Sequence, residues 1–349
     1  MRLEQLLAPG AAPYLVAEAG VNHEGDLDQA IELVRRSAGL GVSAVKFQTY
    51  KANRLAVRQS PAYWDTSEEA TPTQHELFSK YDRFGEPEYR RLASECAAAG
   101  VDFLTSPFDV EAVEWLDGLV GMWKVASGDI TNVRLLRRLG ATKKPVLLST
   151  GASTLDEIAQ GVAWLREAGT AEIALLHCTL SYPTDEADAN VGAIAALARE
   201  FPDCVPGYSD HTRPPASFTA IAAAYALGAR VIEKHYTLDK TRPGNDHYHA
   251  FDPEDFARLA AELQQLRSLL GSGVKDVLPA EQAARAGARR SLVARVRIPA
   301  GTRLTADLLD VKRPGTGIPP AFLDELDGWT AATDIDEDTT LGWEMLTRT

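Results

Sequence analysis

Cysteine is scarce in this chain: 349 residues carry three, Cys96, Cys178 and Cys204, and no two stand in a CxxC spacing. An odd, sparse set argues against a disulfide framework and reads as reduced, mostly buried thiols. Long apolar runs are missing too. Nothing approaches the ~18–20 residues of a membrane helix, and the opening MRLEQLLAPGAAPYLVAEAG lacks the basic start and apolar centre of a secretory signal. A cytoplasmic location with no membrane partner is therefore expected. Basic residues are in deficit, 36 Lys and Arg against 49 Asp and Glu, and the net charge of −13 argues against a nucleic-acid surface. A small anionic substrate is still compatible with that balance, because a few lysines inside a pocket set the local field.

What is present is rhythm. Eight short apolar runs stop at polar residues: YLVAEAG (14–20), SAVKFQT (43–49), VDFLTSPF (101–108), MWKVASG (122–128), PVLLSTG (145–151), EIALLHCT (172–179), VPGYSDH (205–211) and RVIEKHYT (230–237). Helix-like segments lie between them, at 26–41, 87–100, 132–141, 154–169, 191–201 and 216–229, several opening on a capping residue and closing on Gly. The alternation predicts an α/β protein built on a (β/α)8 TIM barrel over 1–270. An open doubly wound sheet would carry a glycine-rich phosphate fingerprint after its first strand, where this chain reads AEAGVNHEGD. The long polar stretch 50–86 breaks the rhythm and is expected to cover an active site. A Gly-, Ala- and Pro-bearing linker is expected at 271–287, followed by a small, mostly β domain over 288–349.

In a parallel barrel the strand C-termini form the active face, so the polar residues at the ends of those runs are the candidates. His211 and His235 arrive from two different runs and read as a divalent-metal pair, with satisfied core histidines as the plain alternative. Two imidazoles leave room on a manganese- or magnesium-type ion for water and a substrate oxygen, which points to Lewis-acid work. Lys46 and Lys124 are flanked by apolar residues, and a buried ammonium needs an anion. Either an internal carboxylate or a substrate phosphate or carboxylate could supply it, the latter with hydroxyls from Ser127, Ser149 and Ser209. Glu18, at the end of the first run, is an acid/base candidate or the ion-pair partner of a barrel lysine.

Read in order, AEAGVNHEGDLDQAIELV, AVKFQTYKA, FLTSPFD, KVASGDITN, PVLLSTGAST, LLHCTLSYPT, GYSDHT, EKHYTLDKTRPGNDH and VKRPGTGI resemble the sialic acid synthase family across essentially the whole chain. Members of that family condense phosphoenolpyruvate with an N-acetylated hexosamine-type aldose. The resemblance implies a C-terminal antifreeze-like SAF domain and a domain-swapped homodimer. It also implies that His211 and His235 bind the ion, Mn or Mg, that activates the open-chain sugar. Lys124, Ser127, Ser149 and Ser209 would hold the phosphate of phosphoenolpyruvate, with Lys46 and Thr105 near its carboxylate. Glu18, Gln48, Tyr182 and Asp246 would face the acceptor, and Arg313 would reach the barrel from a partner's small domain.

Two stretches depart from the family pattern. Leu180 stands where an asparagine is usual, and Ala250 replaces a common serine beside an added His249. The reaction class survives those changes, and the identity of the acceptor is what they put in doubt. A class II-type barrel aldolase or phosphatase is the competing enzyme reading, and a non-catalytic carbohydrate- or protein-binding module is the competing class.

Overall fold

The computed structural model describes residues 3–8, 10–64, 66, 69–244 and 246–348. It divides into two compact units, residues 1–272 and 273–349. In the first, eight strands follow the predicted runs: β1 (Tyr14–Gly20), β2 (Ala44–Thr49), β3 (Asp102–Pro107), β4 (Trp123–Val125), β5 (Val146–Ser149), β6 (Ile173–His177), β7 (Val205–Asp210) and β8 (Val231–His235). They form one parallel sheet in the order β3, β2, β1, β8, β7, β6, β5, β4, and β3 packs beside β4 where the sheet closes. The (β/α)8 barrel is therefore the observed architecture.

The period-two alternation of each strand divides its side chains between two cores. Val16, Ala44, Leu104, Leu147, Leu176, Val205 and Val231 fill the barrel interior, and Leu3 and Leu6 of the N-terminal turn join the same cluster. Residues of opposite parity, such as Ala17, Phe47, Phe103, Leu148, Tyr208 and Ile232, pack outward with the helices. Each fully buried aliphatic side chain contributes ~1.5–3 kcal/mol, so slipping one strand by a residue would exchange both layers at prohibitive cost.

The helices begin where capping chemistry places them. The Asp26 carboxylate accepts from the backbone N–H of Asp28 and Gln29 to start Leu27–Ser37, and Thr154 and Glu157 form a reciprocal box at the start of Leu155–Ala168. Three features differ from expectation. A short helix, Val110–Leu116, follows β3 behind the Asp109 cap. The 50–86 stretch holds helices Ala52–Leu55 and Gln74–Tyr81, and the 271–287 stretch contains most of the helix Gln282–Ala288. No helix among the described residues is long and apolar enough to cross a membrane.

The second unit carries two antiparallel pairs, β9 (Ser291–Ala294) with β10 (Leu309–Lys312) and β11 (Trp329–Ala331) with β12 (Leu346–Arg348). Its own core is built from Leu292, Ile298, Leu304, Ile318, Ile335 and Leu341.

Candidate active site

The same alternation that fills the barrel with aliphatics at one end delivers polar groups at the other. Moving along each strand in steps of two, Val16 leads to Glu18, Ala44 to Lys46 and Gln48, Leu104 to Ser106, Leu147 to Ser149, and Val231 to Glu233 and His235. All of these polar residues line one cavity of 970 Å³, a volume that includes its open mouth. That size suits a small-molecule substrate. Of the residues expected from sequence, Lys124, Ser127, Tyr182, Ser209, His211 and Asp246 also line it.

Thr105 does not. It has the parity of Phe103 and faces the outer layer, where its hydroxyl meets that of Thr49 at 2.7 Å. Its neighbour Ser106 takes the place on the cavity wall, 3.4 Å from the Lys46 ammonium. Strand register thus sets the Thr105 hydroxyl against Thr49, away from the cavity where a substrate carboxylate would lie.

One wall of the cavity is built from lysines, carboxylates and hydroxyls. Lys46 Nζ lies 2.6 Å from Glu18 Oε2 and 4.0 Å from Glu233 Oε2, and Gln48 donates to Glu18 Oε1 at 3.1 Å. Lys124 donates to Ser149 Oγ at 2.7 Å and to the Val125 carbonyl at 3.0 Å, while Glu233 Oε1 stands 3.8 Å away. Internal carboxylates therefore partner both ammoniums, as one of the two sequence readings anticipates. Burial would lower the Lys46 pKa, but Glu18 and Glu233 outweigh it and hold the group above its ordinary value. At Lys124 burial wins over the more distant Glu233, and its pKa is lowered. Of the three N–H groups of Lys124, one is left with only that longer contact. Ser127 Oγ accepts from the Gly151 N–H at 3.0 Å and lies 3.1 Å from Cys178 Sγ. A Cβ on Gly151 would come within 2.9 Å of Ser127 Oγ and 3.0 Å of Cys178 Sγ, so only glycine lets the β5 loop approach this wall.

The opposite corner holds the imidazoles. His211 and His235 have ring centroids 5.4 Å apart, and the Tyr182 ring sits 4.3 Å from His211. His211 Nδ1 donates to the Thr179 carbonyl at 2.9 Å. Since a carbonyl only accepts, the lone pair of His211 is on Nε2, the tautomer a metal ligand needs. Burial and the neighbouring His235 push the His211 pKa down to about 4, which keeps the ring neutral. Asp246 Oδ2 lies 3.2 Å from His235 Nδ1. Burial would raise that carboxyl, but His235 and the other imidazoles outweigh it and hold it well below the usual range. His235, Asp246 and His249 offer donor atoms that all lie within 4.8 Å of one another. This donor set, imidazole nitrogens with one carboxylate, fits a divalent ion.

The outward parity of β7 and β8 holds that corner in place. Lys234 Nζ binds Asp210 Oδ2 and the Thr212 carbonyl, both at 2.6 Å, and Tyr208 and Thr212 hydroxyls donate to Asp210 at 2.9 Å. This fully buried cluster ties the ends of the two strands that carry His211 and His235. The segment after β8 is anchored separately: His247 contacts Thr237 Oγ1 at 2.7 Å and Glu24 Oε1 at 3.2 Å, and Arg242 pairs with Glu24 at 2.9 Å.

Over the mouth, the 50–86 stretch contributes Tyr63, Trp64, Leu77, Phe78 and Tyr81 to the cavity wall. Glu69 organises it, accepting from Lys80 and from the Thr71 N–H, each at 2.9 Å. The sequence places Ser106 and Glu233 at polar strand ends and the aromatics of 50–86 in a cover, without giving any of them an individual role. Glu233 was visible as a polar strand end, but nothing in the chain's order shows that it sits between two lysines. Arg313 lies in the second unit, where it is exposed.

A parallel barrel with a polar tier at its strand C-termini and a small second unit defines the class to which the chain belongs. Residues 33–275 match the NeuB family and residues 289–347 match the SAF domain. The chain is a member of the NeuB family and, by that homology, a sialic acid synthase-like enzyme. It is 36% identical to the N,N'-diacetyllegionaminic acid synthase of Legionella pneumophila, over 95% of this chain and 94% of that protein. It is 35% identical to the N-acetylneuraminate-9-phosphate synthase of Mus musculus, over 98% of this chain and 96% of that protein. The crystal structure of the N-acetylneuraminic acid synthetase of Leptospira borgpetersenii in complex with citrate superposes with a TM-score of 0.68, at 31% identity, covering 79% of this chain and 90% of that one.

Proposed function

We propose that this enzyme condenses phosphoenolpyruvate with an aldose, N-acetylmannosamine or a related amino sugar, to give a nonulosonic acid and phosphate. The observation that carries the reading is the pairing, within one cavity, of a lysine–serine wall with an imidazole–carboxylate corner. Names of relatives support it, since they are synthases of sialic, legionaminic and pseudaminic acids.

On this reading Lys124, Ser127, Ser149 and Ser209 hold the phosphate, and Lys46, with Ser106 now beside it, neutralises the carboxylate of phosphoenolpyruvate. Glu18, Gln48, Tyr182 and Asp246 orient the acceptor. His211 and His235 would hold a divalent ion of manganese or magnesium type, which would supply Lewis-acid polarisation of an aldehyde oxygen. The methylene carbon of phosphoenolpyruvate attacks the aldehyde carbon, forming the new carbon–carbon bond. Water adds to the phosphate-bearing carbon, whose carbon–oxygen bond then breaks to release inorganic phosphate and leave the 2-keto acid. Preorganised ammoniums and hydroxyls stabilise the departing anion without reorganising at the moment of reaction. The proposal extends to a catalytic domain over 1–270, a linker at 271–287, a SAF domain over 288–349, a cytoplasmic location and a homodimer in which Arg313 serves the partner's site.

The test is phosphate release from phosphoenolpyruvate with Mn2+ across a panel of aldoses. Release that depends on one amino sugar is the expected result. Release without any acceptor, or formation of pyruvate, would favour the class II-type aldolase or phosphatase reading instead.

A further inference from the structure

One imidazole has no use in the reading above. His249 is fully buried on the turn His247–His249, and neither of its ring nitrogens has a hydrogen-bond partner among the described residues. A neutral imidazole carries one N–H and one lone pair. Leaving such groups unmet in an interior is costly, because the lost hydrogen bonds to water are not replaced. His247, two residues earlier, avoids that cost by meeting Thr237 and Glu24, and His177 contacts the Ala189 carbonyl at 3.0 Å; His23 and His235 each keep one unmet nitrogen, and among the described residues His249 alone keeps two.

What His249 faces is the metal-competent corner. Its ring centroid lies 4.8 Å from that of His235 and 6.4 Å from that of His211, and its Nε2 is 4.0 Å from Asp246 Oδ1. Donors at 2.0–2.2 Å from a shared ion stand at most about 4.4 Å apart. The His235, Asp246 and His249 donors, all within 4.8 Å of one another, need only a sub-ångström closure to meet that limit. His249 is also, with Leu180 and Ala250, one of the residues that depart from the pattern of the family the chain resembles, and it adds a donor to a corner that already holds the pair expected from resemblance.

The geometry points to His249 as a further protein ligand, making this chain's metal centre a nitrogen-rich one in which His235, Asp246 and His249 grip the ion together with His211. The inference rests on the reading of this corner as a metal site, and not on the identity of the sugar. Added imidazole donors favour Co2+, Ni2+ and Zn2+ over the oxygen-seeking Mg2+. The centre should therefore retain transition metals more tightly than a two-histidine site does.

The test uses the full-length protein stripped of metal and reloaded with Co2+. In the proton NMR spectrum of the loaded wild type, hyperfine-shifted exchangeable imidazole protons are expected from three histidines; a set from only His211 and His235 would overturn the assignment. In His249→Gln and His249→Phe, Co2+ affinity should fall at least ~10-fold, since loss of an outer partner alone weakens metal sites ~10–100-fold. The visible Co2+ absorption should change as well. Unchanged affinity and spectrum would assign His249 to packing or to the acceptor. The wild-type count stands even if neither variant folds. None of these readouts needs turnover, so a protein that shows three bound imidazoles yet never releases phosphate would keep this inference and discard the condensation reading. The converse result would do the opposite.

Discussion

Glu233 shows how far one inward carboxylate organises its surroundings. It lies 3.8 Å from Lys124 and 4.0 Å from Lys46 and accepts from Ser209 at 3.0 Å. Burial alone would raise its pKa, but the Lys124 and Lys46 ammoniums outweigh burial and hold it at about 2. A glutamate of pKa ~4.3 in the unfolded chain takes up its proton there first as pH falls. The stability Glu233 contributes is thus complete above ~4.3 and is lost as pH drops through about 2. In metal-free protein, Glu233→Gln should flatten the pH dependence of the urea midpoint across that window. It should also lower the midpoint at pH 7, because two buried ammoniums lose a counter-charge. Parallel curves for variant and wild type would contradict this account. At this scale Glu18, Lys46, Lys124, Ser149, Ser209, His211 and His235 were legible, because each ends an apolar run. The choice between Thr105 and Ser106 was not, since adjacent hydroxyls look alike until register assigns one of them inward.

Among elements, β7 carries an unusual demand at Gly207. A Cβ there would meet Leu176 Cγ and the Val231 carbonyl oxygen, each at 2.9 Å. The first can move; the second belongs to the backbone of β8 and cannot. Gly207→Ala should therefore cost ~1–3 kcal/mol, read as a lower thermal midpoint, and, if His211 and His235 hold an ion as proposed, should loosen its binding by separating them. An unaltered midpoint would show slack inside the barrel that close packing denies. The eight strands and most helices were readable from period and caps. The helix Val110–Leu116 was overlooked although Asp109 caps it, because its single apolar stripe is only two turns long. The helix Gln74–Tyr81 buries no residue fully, so its sequence carries little apolar periodicity to detect.

For the whole molecule, the chain folds as two units with separate cores, and Arg313 belongs to the second. If Arg313 completes a partner's site as proposed, Arg313→Ala should lose turnover while keeping the wild-type melting temperature. Mixing Arg313→Ala with Lys124→Ala under conditions that exchange subunits should then restore part of the activity, because one site of the mixed dimer carries neither change. No recovery, together with a monomeric mass in sedimentation, would refute the shared site. Sequence by itself determined the barrel, its strand ends and the family, because apolar period, capping and ordered motifs are local properties of a chain. Only tertiary structure decided which hydroxyl faces the cavity, which carboxylate stands between Lys46 and Lys124, and that a buried His249 is brought to His235 and Asp246. Those are distances between strands and loops remote along the chain, and closure of the barrel is what sets them.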